Sequence, residues 1–289
     1  MKIIINADDF GLTKSINEAI FKLASLKTIS STTVMVNMPF ADEIKSLADN
    51  ERFGIGLHFN LTEGKPISEP ADVVSLIDNN GEFHSYKSFK KKLDKGIIDP
   101  KHIQTELEAQ YNKLFSLIGN KISHFDSHQS IHRLSGVYKI IVPFVAKNNK
   151  GLRPSTRFFI QKNKSQNHII NPIIGGIFRF SAKRFLTEFF YFIRTKSTTG
   201  KVFFPKAELL SDDFKKIETL IRLPALSGSN FKNDVFEVSC HPSITITELD
   251  SGKTTLLEKR IDEYKILSSE VFIDYVNANP LFNYSNSRK

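Results

Sequence analysis

Two adjacent carboxylates, Asp8 and Asp9, follow a short apolar run near the N-terminus and precede Phe10-Gly11. Like charges side by side at the end of a buried strand are costly unless a cation or a reacting proton uses them. The simpler alternative is that one aspartate caps the following helix, since aspartate favours such positions. Neighbouring strand residues face opposite ways, so the two carboxylates can share a site only where the strand breaks. Phe10-Gly11 supplies such a break.

Polar residues also gather at the ends of three other predicted strands. They lie in Gly56-Leu57-His58-Phe59-Asn60-Leu61-Thr62, in His124-Phe125-Asp126-Ser127-His128-Gln129-Ser130-Ile131-His132 and in Ser239-Cys240-His241-Pro242. Two imidazoles and one carboxylate form a stable divalent-metal set that leaves positions open for water and substrate. One aspartate of the pair would bind the metal while the other takes a proton from the metal's water. A cation would also relieve the repulsion between the two carboxylates.

Some of these residues have more than one interpretation. His128 and His132 are four apart and share a face if that segment is helical; both would bind metal, or His132 would only support His128. Cys240 beside His241 suggests a nucleophilic dyad, but alternation along a strand points one of the pair away from the other. We therefore interpret Cys240 as a packing residue and His241 as the site candidate. Asp126 is expected to orient a ligand histidine.

The elements that must position these residues alternate between apolar β-rich runs and helical patterns, which is typical of parallel βα units. The predicted strands are Lys2–Ala7, Ser31–Asn37, Phe53–Leu61, Ile122–Asp126, Leu152–Arg157, Lys201–Phe204 and Val235–Cys240. The predicted helices cover residues 16–24, 103–118, 212–221 and 255–267. Strands that are apolar on both sides need cover on both faces. We therefore predict an α/β fold, a (β/α) barrel or a related wound sheet.

Length and composition are those of an ordinary globular protein. We predict one domain over residues 1–289, with an irregular Phe-rich insertion around 158–199. The aromatic residues of this insertion are expected to form core or a subunit contact, which suggests a homodimer, and the alternative is a lid over the site. Forty basic against thirty-one acidic residues give a charge of +9, but the lysines are scattered, so we expect no nucleic-acid partner. We also expect no membrane partner, because the most apolar helical stretch, 185–193, is too short to span a bilayer. A single cysteine and an N-terminus that enters a strand at once predict a cytoplasmic location, and residues 283–289 read as a frayed tail.

The motifs closely resemble those of the YdjC family of carbohydrate deacetylases, whose best-known type is the chitooligosaccharide deacetylase. The matching stretches are Asn6-Ala7-Asp8-Asp9-Phe10-Gly11, Gly56-Leu57-His58-Phe59-Asn60-Leu61-Thr62-Glu63-Gly64-Lys65-Pro66, His124-Phe125-Asp126-Ser127-His128-Gln129 with His132, and Cys240-His241-Pro242. They follow one another in the expected order over most of the chain, and together they are highly specific. The segment 158–199 contributes little to the resemblance.

The resemblance implies a distorted, TIM-like (β/α) barrel and a metal-dependent hydrolase that removes an N-acetyl group from an amino sugar or oligosaccharide. It implies one divalent cation, Mg²⁺ or Zn²⁺ being expected, held by Asp9, His58 and His128. Asp8 would be the general base. His241 would protonate the leaving amine or hold the intermediate.

Two further residues, Arg153 and Asn60, are expected to bind the substrate. Arg153 has two alternative roles: it would position Asp8, or it would simply pair with a carboxylate of the barrel. Ser130 stands where many members of that family carry a histidine. If that histidine has a catalytic or substrate role, the change alters activity or specificity, but His58 and His128 are both present and we expect the metal to be retained.

Three other functions compete with deacetylation. His124-Phe125-Asp126 with the distant His241 resembles the facial triad of a non-haem iron oxygenase, which predicts an antiparallel jelly roll. A non-catalytic sugar-binding or regulatory protein on the same barrel is the second alternative, with Ser130 as the sign of lost activity. A metal-dependent phosphoesterase is the third, since a fold does not fix a function.

Overall fold

Strands and helical segments alternate over residues 2–152, as the apolar pattern predicts. The computed structural model describes residues 2–153, 157–162, 168–173, 235–249 and 256–284. The strands in these ranges are β1 (Lys2–Phe10), β2 (Ser31–Val34), β3 (Gly54–Phe59), β4 (Ile122–Ser127), β5 (Gly151–Leu152), β6 (Arg157–Lys162), β7 (His168–Ile173) and β8 (Val235–Cys240). The α-helices are α1 (Lys14–Ser25), α2 (Tyr86–Asp94), α3 (Pro100–Ile118), α4 (Ser135–Lys147), α5 (Leu257–Leu267) and α6 (Glu270–Ala278).

Six of the described strands form one parallel sheet, a curved half-barrel with the order β5-β4-β3-β2-β1-β8. All five strand pairs within it are parallel. Residues 3–10 of β1, which lies between β2 and β8, are all buried, as expected for a strand covered on both faces. The predicted α/β fold with parallel strands is therefore confirmed. An antiparallel jelly roll, and with it the fold required by an iron oxygenase, is wrong for this sheet.

The helix α1 illustrates how local sequence sets an element. Thr13 accepts a hydrogen bond from the backbone N–H of Ile16 at 3.2 Å, which satisfies one of the donors left free at a helix N-terminus. The predicted apolar face is buried, from Ile16 through Ile20 to Leu23. The predicted helix 103–118 is likewise present as α3, where Asp99 caps the N-terminus.

The end of β1 carries an irregularity that places both aspartates at one edge of the sheet. Ala7 pairs with Thr32 and Phe10 pairs with Val34, so β1 has one residue more than β2 between these pairs. Such a bulge re-aims side chains. Asp9 has a φ of 68°, a conformation that costs a non-glycine residue on the order of 1–3 kcal/mol. The predicted break in the strand is thus present.

Other predicted elements differ from the structure in extent. β2 ends at Val34 and β3 at Phe59, earlier than predicted. β5 is Gly151–Leu152 and shares only Leu152 with the strand predicted over Leu152–Arg157. β6 and β7 form a separate antiparallel pair in the region of the predicted insertion. The predicted strand 201–204 and helix 212–221 lie outside the described residues, as does most of 158–199.

The segment that follows α6 is held in place, so the frayed tail predicted from Asn283 is wrong for the first two residues. Asn283 and Tyr284 are buried. The backbone N–H of Phe282 donates to the carbonyl of Ile3 at 2.7 Å, and Asn283 Nδ2 donates to the carbonyl of Arg52 at 2.6 Å. Within the described ranges, no helix combines the length and apolar character needed to cross a bilayer.

Candidate metal and catalytic site

Three residues that are distant in sequence meet at the carboxyl edge of the sheet. Asp9 and His58 are each the last residue but one of their strands, β1 and β3, and His128 follows β4. Asp9 Oδ1 lies 3.2 Å from His58 Nε2 and 3.0 Å from His128 Nδ1. One nitrogen or oxygen from each residue falls within 4.8 Å of the others, an arrangement that could hold a metal ion. The structure therefore brings together the three residues expected to bind a cation.

A carboxylate on the far side of His58 fixes the orientation of its ring. His58 Nδ1 lies 2.6 Å from Asp126 Oδ1, the arrangement expected of a residue that orients a ligand imidazole. Burial disfavours a charge on His58, but Asp126 and Asp9 outweigh it and raise the His58 pKa to about 10. With Nδ1 facing Asp126, a second proton on the ring would occupy Nε2, which lies 3.2 Å from Asp9 Oδ1. A divalent cation would take that proton's place, so the donor set fits a metal.

Asp8, the second carboxylate of the pair, faces a different set of partners. Arg153 donates to both of its oxygens, at 2.7 and 2.6 Å, and Asn6 Nδ2 donates to Oδ1 at 2.8 Å. Burial would raise the Asp8 pKa, but the Arg153 charge outweighs burial and holds the pKa well below its ordinary value. Asp8 is therefore an ionised carboxylate beside the three candidate ligands.

Arg153 contacts two further buried carboxylates besides Asp8. Its guanidinium lies 2.7 Å from Asp126 and 2.7 Å from Glu237 on β8. The hydroxyl of Tyr284 donates to the other oxygen of Glu237, and the Tyr284 ring stacks on His124 with ring centroids 3.8 Å apart. Burial raises the Glu237 pKa to about 7 despite the nearby Arg153 charge. This geometry matches the positioning interpretation of Arg153 and leaves little of its side chain exposed.

His241 follows β8 directly and also lies near Asp8. Its Nε2 is 3.7 Å from Asp8 Oδ2. Burial lowers the His241 pKa, although Asp8 and Asp9 act in the opposite direction. His241 and His128 are the more exposed members of the site, with 20% and 13% of their side chains accessible, against 5% for Asp8. The site is therefore open to solvent on the side of these two imidazoles.

Cys240 and His132 lie away from these groups. Cys240 is fully buried, and its Sγ lies 3.4 Å from the carbonyl oxygen of Asn6, so it packs against the backbone of β1. His132 Nδ1 lies 2.5 Å from Ser127 Oγ. The segment His128–Arg133 is a 3-10 helix interrupted by left-handed Gln129 and Ser130, so His128 and His132 do not share an α-helical face.

Asn60, expected to bind the substrate, is fully buried in the loop that follows β3. Its amide nitrogen donates to Asn37 Oδ1 at 3.0 Å and to the Glu63 carbonyl at 2.7 Å. Its amide oxygen accepts the backbone N–H groups of Thr62 and Glu63. The side chain thus fixes the shape of this loop.

The sequence patterns gave no indication of two further residues at the site, both on α5. Arg260 donates to Asp9 Oδ2 at 2.5 Å. Glu263 Oε2 accepts the backbone N–H of His241 at 2.5 Å. Both side chains are buried. From sequence alone, charged residues at this spacing predict a solvent-exposed helix face. Arg260 and Glu263 are buried because α5 packs against the edge of the sheet.

Comparison with known proteins places the chain in a family. The profile described as YdjC-like protein matches residues 2–278. The chain therefore belongs to the YdjC-like family. It is 38% identical over 288 residues to a protein of Thermoanaerobacter pseudethanolicus named carbohydrate deacetylase, covering 98% of each chain.

One further protein sequence and one crystal structure are similar to this chain over different shares of its length. A Yersinia pestis protein named chitooligosaccharide deacetylase is 32% identical over 167 residues, which are 57% of this chain and 62% of that one. A crystal structure from Enterococcus faecalis, titled as a putative cellobiose-phosphate cleavage protein, superposes with a TM-score of 0.69 at 23% identity. It covers 99% of this chain and 98% of that one. At this identity the match supports the fold alone.

Proposed function

We propose that this protein is a metal-dependent hydrolase that removes N-acetyl groups from an amino sugar or oligosaccharide. The observation that carries the proposal is the convergence of Asp9, His58 and His128 beside the ionised Asp8. Relatives named carbohydrate deacetylase and chitooligosaccharide deacetylase support the choice of substrate class. A cytoplasmic location and a homodimer stay predictions from the sequence.

Asp9, His58 and His128 would hold the cation, one carboxylate oxygen and two imidazole nitrogens. When bound, a divalent cation lowers the pKa of a ligated water and polarises the amide carbonyl. Two imidazole nitrogens favour Zn²⁺, whereas Mg²⁺ prefers oxygen ligands, so both cations belong in the test. Asp126 keeps His58 in the tautomer whose Nε2 faces the site.

Asp8 is the proposed general base, and the proton balance follows from its contacts. Hydrolysis adds water across the amide: the C–N bond breaks, the acyl carbon gains a hydroxyl, and the nitrogen gains a proton. Asp8 Oδ2 accepts the proton that the attacking water loses. His241 Nε2, 3.7 Å from that oxygen, receives the proton and delivers it to the leaving amine. A neutral resting His241, consistent with its lowered pKa, is the form that can take up this proton.

Arg153 has a positioning role in this proposal. Two hydrogen bonds to Asp8 hold the carboxylate in one orientation, and the positive charge keeps it ionised. Because the guanidinium is shared with Asp126, the base and the residue that orients His58 are fixed by one group. Arg153 therefore fixes the position of Asp8 relative to His58, which Asp126 orients.

The test is acetate release from a panel of N-acetylated mono- and oligosaccharides by metal-stripped protein, with and without added Zn²⁺ or Mg²⁺. We expect release only with metal, and loss of both metal binding and release in Asp9→Ala. Asp94→Ala is the matched control, because Asp94 is an exposed carboxylate on α2 paired with Lys90. Metal binding without acetate release on the whole panel would favour a sugar-binding protein. Phosphate release from sugar phosphates would favour a phosphoesterase.

A further inference from the structure

We propose that Arg260 and Glu263, one turn apart on α5, are positioning residues that set the metal-binding carboxylate and the proton-donating histidine from a single helix. Arg260 would restrict Asp9 to one metal-facing oxygen, and Glu263 would hold the backbone of His241. This inference rests on the proposed function, because it assigns roles toward the proposed metal and proton donor. Both residues lie outside the motifs that the sequence analysis identified.

The two oxygens of Asp9 have separate partners. Oδ1 faces the two imidazoles, at 3.2 Å from His58 and 3.0 Å from His128. Oδ2 accepts a hydrogen bond from Arg260 at 2.5 Å. The Arg260 side chain is only 2% exposed, so the pair is shielded from water and from ions that would compete with it. One oxygen is thus aimed at the candidate site and the other is turned away from it.

This division has a chemical consequence for a bound cation. A free carboxylate can chelate with both oxygens, which would fill a coordination position that water or the substrate carbonyl needs. Catalytic metal sites keep such positions open. By occupying Oδ2, the guanidinium leaves Oδ1 as the oxygen that Asp9 offers. Arg260 also opposes the Asp9 charge, which favours reversible over very tight metal binding.

The same helix fixes the segment that carries the histidine. Glu263 Oε2 accepts the His241 N–H at 2.5 Å, and the carbonyl of Arg260 accepts the Ser243 N–H at 3.1 Å. Residues three apart on a helix lie on the same face, so Arg260 and Glu263 reach the sheet edge together. A site held by a rigid element keeps its geometry better than one held by loops alone. The distance between Asp9 and His241 is therefore set through α5.

The experiment uses Co²⁺, whose visible absorption weakens as its coordination number rises, in the full-length protein. We expect Arg260→Met and Arg260→Gln to release Oδ2, weaken the absorption per bound Co²⁺, and lower kcat about 10–100-fold. Arg260→Lys, which keeps a cation at Oδ2, should recover part of the wild-type spectrum. Lys265→Met is the matched control, since Lys265 is exposed on the same helix. It should match the wild type.

Glu263→Leu provides the complementary arm. We expect it to lower kcat and shift the pH profile while leaving the Co²⁺ spectrum unchanged, because Glu263 contacts the His241 backbone and not Asp9. Wild-type protein that takes up no Co²⁺ would overturn the proposed metal site itself. Co²⁺ uptake with a wild-type spectrum in Arg260→Gln, or in Arg260→Met, would overturn only the positioning role. Circular dichroism of each variant establishes that it is folded, and if Arg260→Met is not, Arg260→Gln decides.

Discussion

Arg153 donates to both oxygens of Asp8, at 2.7 and 2.6 Å, while the neighbouring Asp9 faces two imidazoles. Two carboxylates that are adjacent in the chain are therefore held by different partners. The bulge at the end of β1 makes this possible, because it frees Asp8 and Asp9 from strict strand alternation. Each of the following predictions tests one part of this separation.

Asp8→Asn should abolish hydrolysis and leave the metal bound. The amide cannot accept a proton from water, and loss of a general base costs about 10²–10⁴ in rate. Arg153 retains Asp126 and Glu237 as partners, so the fold should persist. Steady-state acetate release and the metal content of the purified variant provide the measurements. Turnover near the wild-type level would exclude Asp8 as the base.

Asp126→Asn should weaken metal binding by about 10–100-fold. An amide nitrogen at this position would donate to His58 Nδ1 and move the ring proton to Nε2, the atom that faces Asp9. Competition with a chromophoric chelator measures the affinity, with Asp94→Asn as the exposed control. An affinity equal to that of the wild type would show that Asp126 does not set the tautomer.

Metal binding should release a proton from His58. Burial opposes charging of this ring, but Asp126 and Asp9 raise its pKa to about 10, so the metal-free protein carries that proton at neutral pH. The apparent affinity should rise about tenfold per pH unit below that pKa. Titration calorimetry in two buffers of different ionisation enthalpy counts the protons released. Binding enthalpies that are independent of the buffer would contradict the prediction.

Glu263→Gln should make stability less dependent on pH. Burial raises the Glu263 pKa from 4.5 to about 8, so between these values the folded protein binds more protons than the unfolded chain. The free energy of unfolding therefore falls as pH rises through this window, by at most about 1.4 kcal/mol per pH unit from this group. Urea denaturation of metal-free wild type and variant from pH 5 to 8 compares the slopes. Parallel slopes would mean that Glu263 titrates normally when folded.

The motifs at the strand ends predict most of the candidate site, because a parallel sheet brings the carboxyl ends of its strands to one edge. Once the strands are predicted correctly, Asp9, His58 and His128 are expected to lie close together, as they do in the structure. Their separate roles follow from contacts that sequence does not encode locally. The assignment of Arg153 to Asp8, for example, depends on where β5 ends beside β4.

What the sequence misses depends on tertiary packing. Arg260 and Glu263 have the spacing of an exposed helix face, and only the position of α5 buries them. Asn60 stays a predicted substrate-binding residue, and the sequence did not show that its amide also bonds within its own loop. The helix α4 was not among the predicted helices. It contains Pro143, a residue that disfavours the interior of a helix.

The hydrogen bond between Tyr284 and Glu237 links the C-terminal segment described here to the first strand. Glu237 holds Arg153, and Arg153 holds Asp8, so the aromatic ring at position 284 supports a carboxylate at position 8. Without Tyr284, one oxygen of the buried Glu237 would lose this donor. A truncation before Tyr284 is therefore expected to loosen Asp8, which is far from the cut in sequence.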